Sequence, residues 1–385
     1  MEKTNQSALY KTLPVFMAFY VMGFGDIVGV ATSYTKLEFG LSNTLTQTLT
    51  MLAFVWFALL SIPVGVFQDK KGKKFTVNLG ITFIALGMLA PVVAYNYYGM
   101  LVSFTLLGIG NAIIQVSANP LMRDVSPENK LSRNLTLSQF VKAIAGTLGP
   151  FIAAFCAVRF GNWTLVYWVY LVISIVTIIW LRSTRITETG NEGRATVMSA
   201  FKLLGDRKVA LLVLGTFLMV GFDVGMNTNI VNYLRETFHA SQEEGSVGIS
   251  IYFAALMAGR FLSAIMLNRM KSSRMLLYCA VLSAASFALL YFMPGLLAGQ
   301  IAIFCIGLFT AAIFPLIFSA GLQYMPERAN ELSGLMIMSV CGGGVIPPVI
   351  GVINDSSGLM TASLLLGLCL VYVIFLSLYI IKNKL

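Results

Sequence analysis

From Thr12 onward the chain is a succession of apolar runs separated by short polar turns. About 20 apolar residues in a helix span the hydrocarbon core of a bilayer. Only a helix or a closed barrel satisfies every backbone group there. A soluble domain cannot hide runs of this kind. Of 385 residues 57% are hydrophobic and only 11% charged, against roughly 25% charged in an average soluble domain. The pattern predicts twelve helices, at 12–35, 45–67, 75–95, 98–122, 132–158, 163–181, 209–234, 246–268, 274–293, 297–322, 331–353 and 360–381. The longest polar stretch, 182–208, is expected to be a cytoplasmic central loop between a six-helix bundle over 1–181 and a second over 209–385. The expected fold is an all-α polytopic membrane protein of twelve transmembrane helices in two pseudo-symmetric six-helix bundles. No small-residue cleavage site follows a short apolar core near the N-terminus, so the first run is expected to be an uncleaved helix.

Charge fixes the expected orientation. With the N-terminus inside, the 26 Lys and Arg divide into 21 inside, three outside (Lys36, Arg159, Arg235) and two within helices (Lys142, Arg260). The positive-inside rule therefore puts both termini in the cytoplasm. The net charge of +10 then reports topology and contact with anionic lipid headgroups. The basic residues are scattered over short loops, so nucleic acid is not an expected partner. The five cysteines lie in apolar runs without a CxxC pair, and His239 is the single histidine. No His/Cys metal site, no cofactor and no Ser/His/Asp arrangement within the membrane are expected, and no Walker-type loop is present. An enzyme and an ATP-driven pump are both poor readings.

The halves repeat. Gly23-Phe24-Gly25-Asp26 in helix 1 is matched by Gly221-Phe222-Asp223 in helix 7, with the two acids 197 residues apart. Pro127-Glu128 after helix 4 is matched by Pro326-Glu327 after helix 10. Each pair is followed by a Leu-Ser that opens the next helix. A duplicated six-helix unit places a substrate site at the interface of its halves, near the bilayer midplane.

Between helices 2 and 3 stands Gly65-Val66-Phe67-Gln68-Asp69-Lys70-Lys71-Gly72-Lys73-Lys74. It resembles the signature loop of the major facilitator superfamily, which implies that Gly65, Asp69, Lys70, Gly72, Lys73 and Lys74 latch the halves together in one conformation. Ala118-Asn119-Pro120, Asn134-Leu135, Gly259-Arg260-Phe261, Phe314 to Gly321, and Gly342-Gly343-Gly344 with Pro348 and Gly351 resemble the fucose–galactose–glucose/proton symporter family. That resemblance spans all twelve helices. It implies import of a sugar by proton symport across a bacterial cytoplasmic membrane, through alternating access, with one acid on helix 1 and another on helix 4. A monomer is expected.

A charged group in the membrane is expensive and needs a reason. Four are expected there: Asp26, Lys142, Asp223 and Arg260. Asp26 matches the family's helix-1 acid. The helix-4 acid is replaced by Gln115, and Lys142 stands in helix 5 where the family pattern leads one to expect an amide. Asp26 and Lys142 are the expected ion-coupling pair. Gln115, Asn119, Gln139, Asp223, Asn227 and Asn229 are the expected substrate contacts, because amides and carboxylates partner hydroxyls. Asn229 follows Asp223 by nearly two turns and is expected on the same face. Arg260 is expected either to pair with Asp223, in a gating or structural role, or to touch substrate. Tyr34, Trp56, Tyr252 and Phe314 are the aromatic candidates for stacking. Gly146-x2-Gly149-Pro150 reads as a hinge or close-packing break in helix 5. Three transport readings stand: sugar/proton symport first, with drug or metabolite/proton efflux, or sodium-coupled uptake of a sugar acid, as the alternatives.

Overall fold

The computed structural model describes residues 2–41, 43–189 and 195–383. These form helices joined by short connections, with no strand among the described residues. The first expected span is broken. Helix α1 (Glu2–Met22) and α2 (Val28–Phe39) are separated by a 3₁₀ turn over Gly23–Ile27, so Asp26 stands in an interruption rather than within a regular helix. Both glycines of the turn sit at close approaches. A Cβ at Gly23 would meet the Ala145 Cβ at 2.7 Å, and one at Gly25 would collide with the Asn111 amide. Short 3₁₀ stretches inside a helix often mark functional hinges.

Helices α3 (Asn43–Lys71), α4 (Lys73–Val93), α5 (Tyr97–Val125), α6 (Leu131–Phe160) and α7 (Leu165–Ser183) follow. The central polar stretch is partly helical, with α8 at Val197–Lys202. Then come α9 (Arg207–Phe238), α10 (Gln242–Met266), α11 (Ser272–Leu290), α12 (Leu296–Thr310), α13 (Ile313–Tyr324), α14 (Ala329–Met338) and α15 (Gly342–Lys382). Ten stretches among the described residues are long and apolar enough to cross a membrane. They match expected spans three to twelve, and the first two expected spans are helical as α1–α2 and α3.

The helix ends follow local chemistry. The Asn96 side chain accepts from Gly99 N at 2.9 Å and caps α5. Asp206 accepts from Lys208 N and Val209 N and caps α9. Such side chains satisfy amides that have no partner within the helix. Gly72 at φ +90° makes the tight turn between α3 and α4, and Gly358 at φ +81° breaks α15 between the last two expected spans. These are backbone conformations that only glycine adopts freely. The expected break in helix 5 is absent. α6 runs without interruption through Gly146, Gly149 and Pro150, and its glycines serve packing.

The chain forms two compact units. The first comprises Met1–Glu128, Ser138–Phe201 and Pro326–Met338; the second comprises Asn129–Leu137, Lys202–Met325 and Ser339–Leu385. In the first, α14 crosses α3 closely: a Cβ at Gly65 would meet Asn330 O at 2.8 Å and Gly334 Cα at 3.2 Å. In the second, the start of α6 is tied in by Ser132 to Ser319 (2.8 Å) and by Arg133 donating to Asn268 (3.0 Å).

Candidate functional site

The first unit gathers most of the expected coupling and binding residues around the helix-1 break. Asp26 is exposed, and its carboxylate rests against Gly146 on α6, where any Cβ would collide with Oδ2. Lys142 lies one turn earlier on α6, with its carbonyl against Gly23. Gln139 lies one further turn back and is buried. Residues three and four apart share a helix face, so Gln139, Lys142 and Gly146 form one stripe facing the break.

Helix α5 presents a second stripe. Gln115 and Asn119 are buried, and Asn111 packs against Gly25 one turn before them. The Asn119 amide donates to Gln115 O at 2.7 Å, which turns it onto its own helix. Asn111 Oδ1 and Gln115 Oε1 have no hydrogen-bond partner among the described residues. Nor does the Trp56 indole nitrogen on α3. Buried polar atoms are nearly always partnered, so these three carry hydrogen-bonding capacity that the described residues do not use. Asn111 was not among the expected contacts. Its spacing of four before Gln115 is the signal that would have found it.

The signature loop is more deeply embedded than a solvated basic turn. Asp69 is buried and accepts from the Asn330 amide at 3.0 Å and from Ala195 N at 3.1 Å. The Gln68 amide donates to Asn330 O. Lys73 is fully buried and pairs with Asp124 at 2.6 Å, with side-chain exposures of 1% and 0%. Glu188 accepts from the backbone nitrogens of Lys73 and Lys74 and so caps α4. Gly72, at the turn, would meet Glu188 if it carried a Cβ. Lys74 reaches Arg182 O at 2.9 Å, while Lys70 is exposed. The central stretch then laces to α14, with Ser199 donating to Glu331 and Arg328 bonded to both.

The second unit holds its own polar group. Asp223 accepts from the Tyr252 hydroxyl at 2.5 Å, with Arg260 within electrostatic range. Asn227 lies one turn after Asp223, and its Oδ1 has no partner among the described residues. Asn229 does not share the face of Asp223. Six residues at 3.6 per turn carry it about 120° round the helix, and its amide bonds Gly225 O on its own helix at 2.7 Å. Two aromatic candidates are packed against the protein itself. Tyr252 is fully buried, and Tyr34 stacks on Trp163 at 4.7 Å.

Comparison with known proteins accords with this architecture. A glucose/galactose transporter of Brucella abortus is 24% identical over 387 residues, covering 94% of this chain and 91% of that one. The L-fucose-proton symporter of Escherichia coli is 22% identical, covering 86% and 84%. Among solved structures, the major facilitator transporter FucP in the outward conformation superposes with a TM-score of 0.85 at 19% identity, covering 97% of this chain and 99% of that one. The sequence model of the Major Facilitator Superfamily matches residues 15–348, and the chain belongs to that superfamily.

Proposed function

We propose that this protein is a secondary active transporter, not an enzyme, that imports a sugar or sugar derivative together with a proton by alternating access. The carrying observation is the Asp26 carboxylate, exposed in the helix-1 break and resting on α6 one turn from Lys142. A deprotonated Asp26 attracts the Lys142 ammonium. Protonation neutralises the carboxylate and releases Lys142, so one proton changes how α6 is held against helix 1. Relatives named as glucose/galactose transporters and as an L-fucose-proton symporter support this reading.

In the first unit the residues offered to substrate are Gln115, Asn119 and Gln139, joined by Asn111; in the second they are Asp223 and Asn227. The orphaned oxygens of Asn111, Gln115 and Asn227 accept from sugar hydroxyls. Gly65, Asp69, Lys70, Gly72, Lys73 and Lys74 bias the conformational equilibrium through the α3–α14 crossing, and Arg260 gates beside Asp223. The protein acts as a monomer in a bacterial cytoplasmic membrane, and the 21 basic residues that this orientation puts on the inner side support cytoplasmic termini.

The test is accumulation of labelled sugars in proteoliposomes with an alkaline interior and no sodium. The panel holds neutral hexoses, deoxyhexoses, N-acetylated sugars and uronates. Accumulation of a neutral sugar that collapses with the pH gradient supports proton symport. Accumulation of uronates alone would assign Lys142 to an anionic substrate. Uptake only under a sodium gradient would overturn proton coupling.

A further inference from the structure

Tyr170 on α7 is 1% exposed, and its hydroxyl has no hydrogen-bond partner among the described residues. An orphaned buried hydroxyl costs stability. Phenylalanine would fill the same place without that cost. The fold nevertheless makes room for the oxygen: the hydroxyl occupies the position opposite Gly149, where a Cβ would come within 2.6 Å of it. The ring cannot swing aside, because it stacks on Phe24 with centroids 3.8 Å apart and planes 5° from parallel.

Phe24 is two residues before Asp26. The Asp26 carboxylate rests on Gly146 and the Tyr170 hydroxyl on Gly149, three residues apart on α6. Positions so spaced on a helix lie about 5–6 Å apart, a span closed by one χ1 change of Asp26 or by one bridging water. Asp26 is also within electrostatic range of Tyr170. Two glycines of one helix face thus seat two oxygen groups side by side, one of them without a partner.

We propose that Tyr170 is a positioning residue for ion coupling, its hydroxyl donating to the Asp26 carboxylate when the proton has left and releasing it when the proton returns. The inference rests on the reading of Asp26 as the coupling group. The groups that face this site are Lys142 on α6, Asn111 on α5, and Tyr20, which meets Phe24 edge to face at 5.5 Å. Among them Tyr170 is the one with a buried donor that has no partner among the described residues. A hydroxyl that bonds the charged form of a carboxylate favours that form, so its loss makes the carboxylate hold its proton to higher pH.

The test is Tyr170→Phe beside wild type and Asp26→Asn in proteoliposomes. Sugar accumulation and counterflow are read across pH, and thermal melting of each purified protein is measured. The expected Tyr170→Phe protein melts at or above the wild-type temperature and exchanges sugar at near wild-type rate. The pH at which its accumulation is half-maximal is displaced in the alkaline direction. A merely structural tyrosine would change melting and leave that midpoint alone, so an unmoved midpoint with Asp26→Asn inactive in accumulation overturns the inference by itself. Asp26→Asn accumulating like wild type would instead overturn the reading beneath it.

Discussion

Gly149→Ala is expected to reverse its effect on stability according to what stands at position 170. In the wild-type background the new Cβ comes within 2.6 Å of the Tyr170 hydroxyl and within 3.8 Å of Cζ. Only the oxygen is too close. Overpacking of this kind costs about 1–3 kcal/mol, because the ring is held by Phe24. Replacing glycine by alanine inside a helix gains about 0.8–1.0 kcal/mol. The net change in wild type therefore runs from near zero to about 2 kcal/mol destabilising. With Tyr170→Phe in place the collision is gone, the Cζ distance is an ordinary contact, and the helix gain remains. The same substitution then stabilises by up to about 1 kcal/mol, and the coupling between the two sites is about 1–3 kcal/mol, within the range measured for residues in contact. Unfolding of the four purified proteins in a denaturing detergent series gives all terms of the cycle. Equal effects of Gly149→Ala in both backgrounds, within about 0.5 kcal/mol, would refute the seating of the hydroxyl on that glycine.

Lys73→Met leaves Asp124 buried without its cation, and removing one partner of a buried pair costs about 3–5 kcal/mol. The same unfolding series is expected to show that loss, and to show much of it recovered in Lys73→Met with Asp124→Leu. Gln115→Ala removes an orphaned acceptor whereas the Asn119 amide is already committed to its helix. Gln115→Ala is therefore expected to raise the KM of sugar uptake up to about tenfold, the equivalent of 1.4 kcal/mol, and Asn119→Ala less. Gly65→Val forces a side chain into the α3–α14 crossing. Transport rate is expected to fall well below wild type, with about 1–3 kcal/mol of destabilisation.

The spans were legible because hydropathy at this length has few alternatives, and the signature loop because its glycine and charge spacing is specific. What the sequence hid is tertiary. Lys73 reads as one of several interchangeable bases in the latch loop, and only the fold brings Asp124 and Glu188 to it from distant positions. The glycines around Asp26 were visible, but not that Lys142, Ala145 and Asn111 approach them too closely for any side chain. Asn111 was within reach of simple helical spacing. Tyr170 was not, since an aromatic inside an apolar run gives no sign that its hydroxyl lacks a partner. Asn229 was misplaced by counting turns loosely.

Asp26→Asn measured in two modes on the same vesicles bears most directly on the coupling role of Asp26. One mode is counterflow of labelled sugar with no ion gradient; the other is accumulation against a concentration gradient with the interior alkaline. Loss of accumulation with counterflow retained is the expected result, because asparagine keeps the shape and polarity of the site but carries no proton. Accumulation equal to wild type would contradict the assignment of Asp26 as the proton carrier.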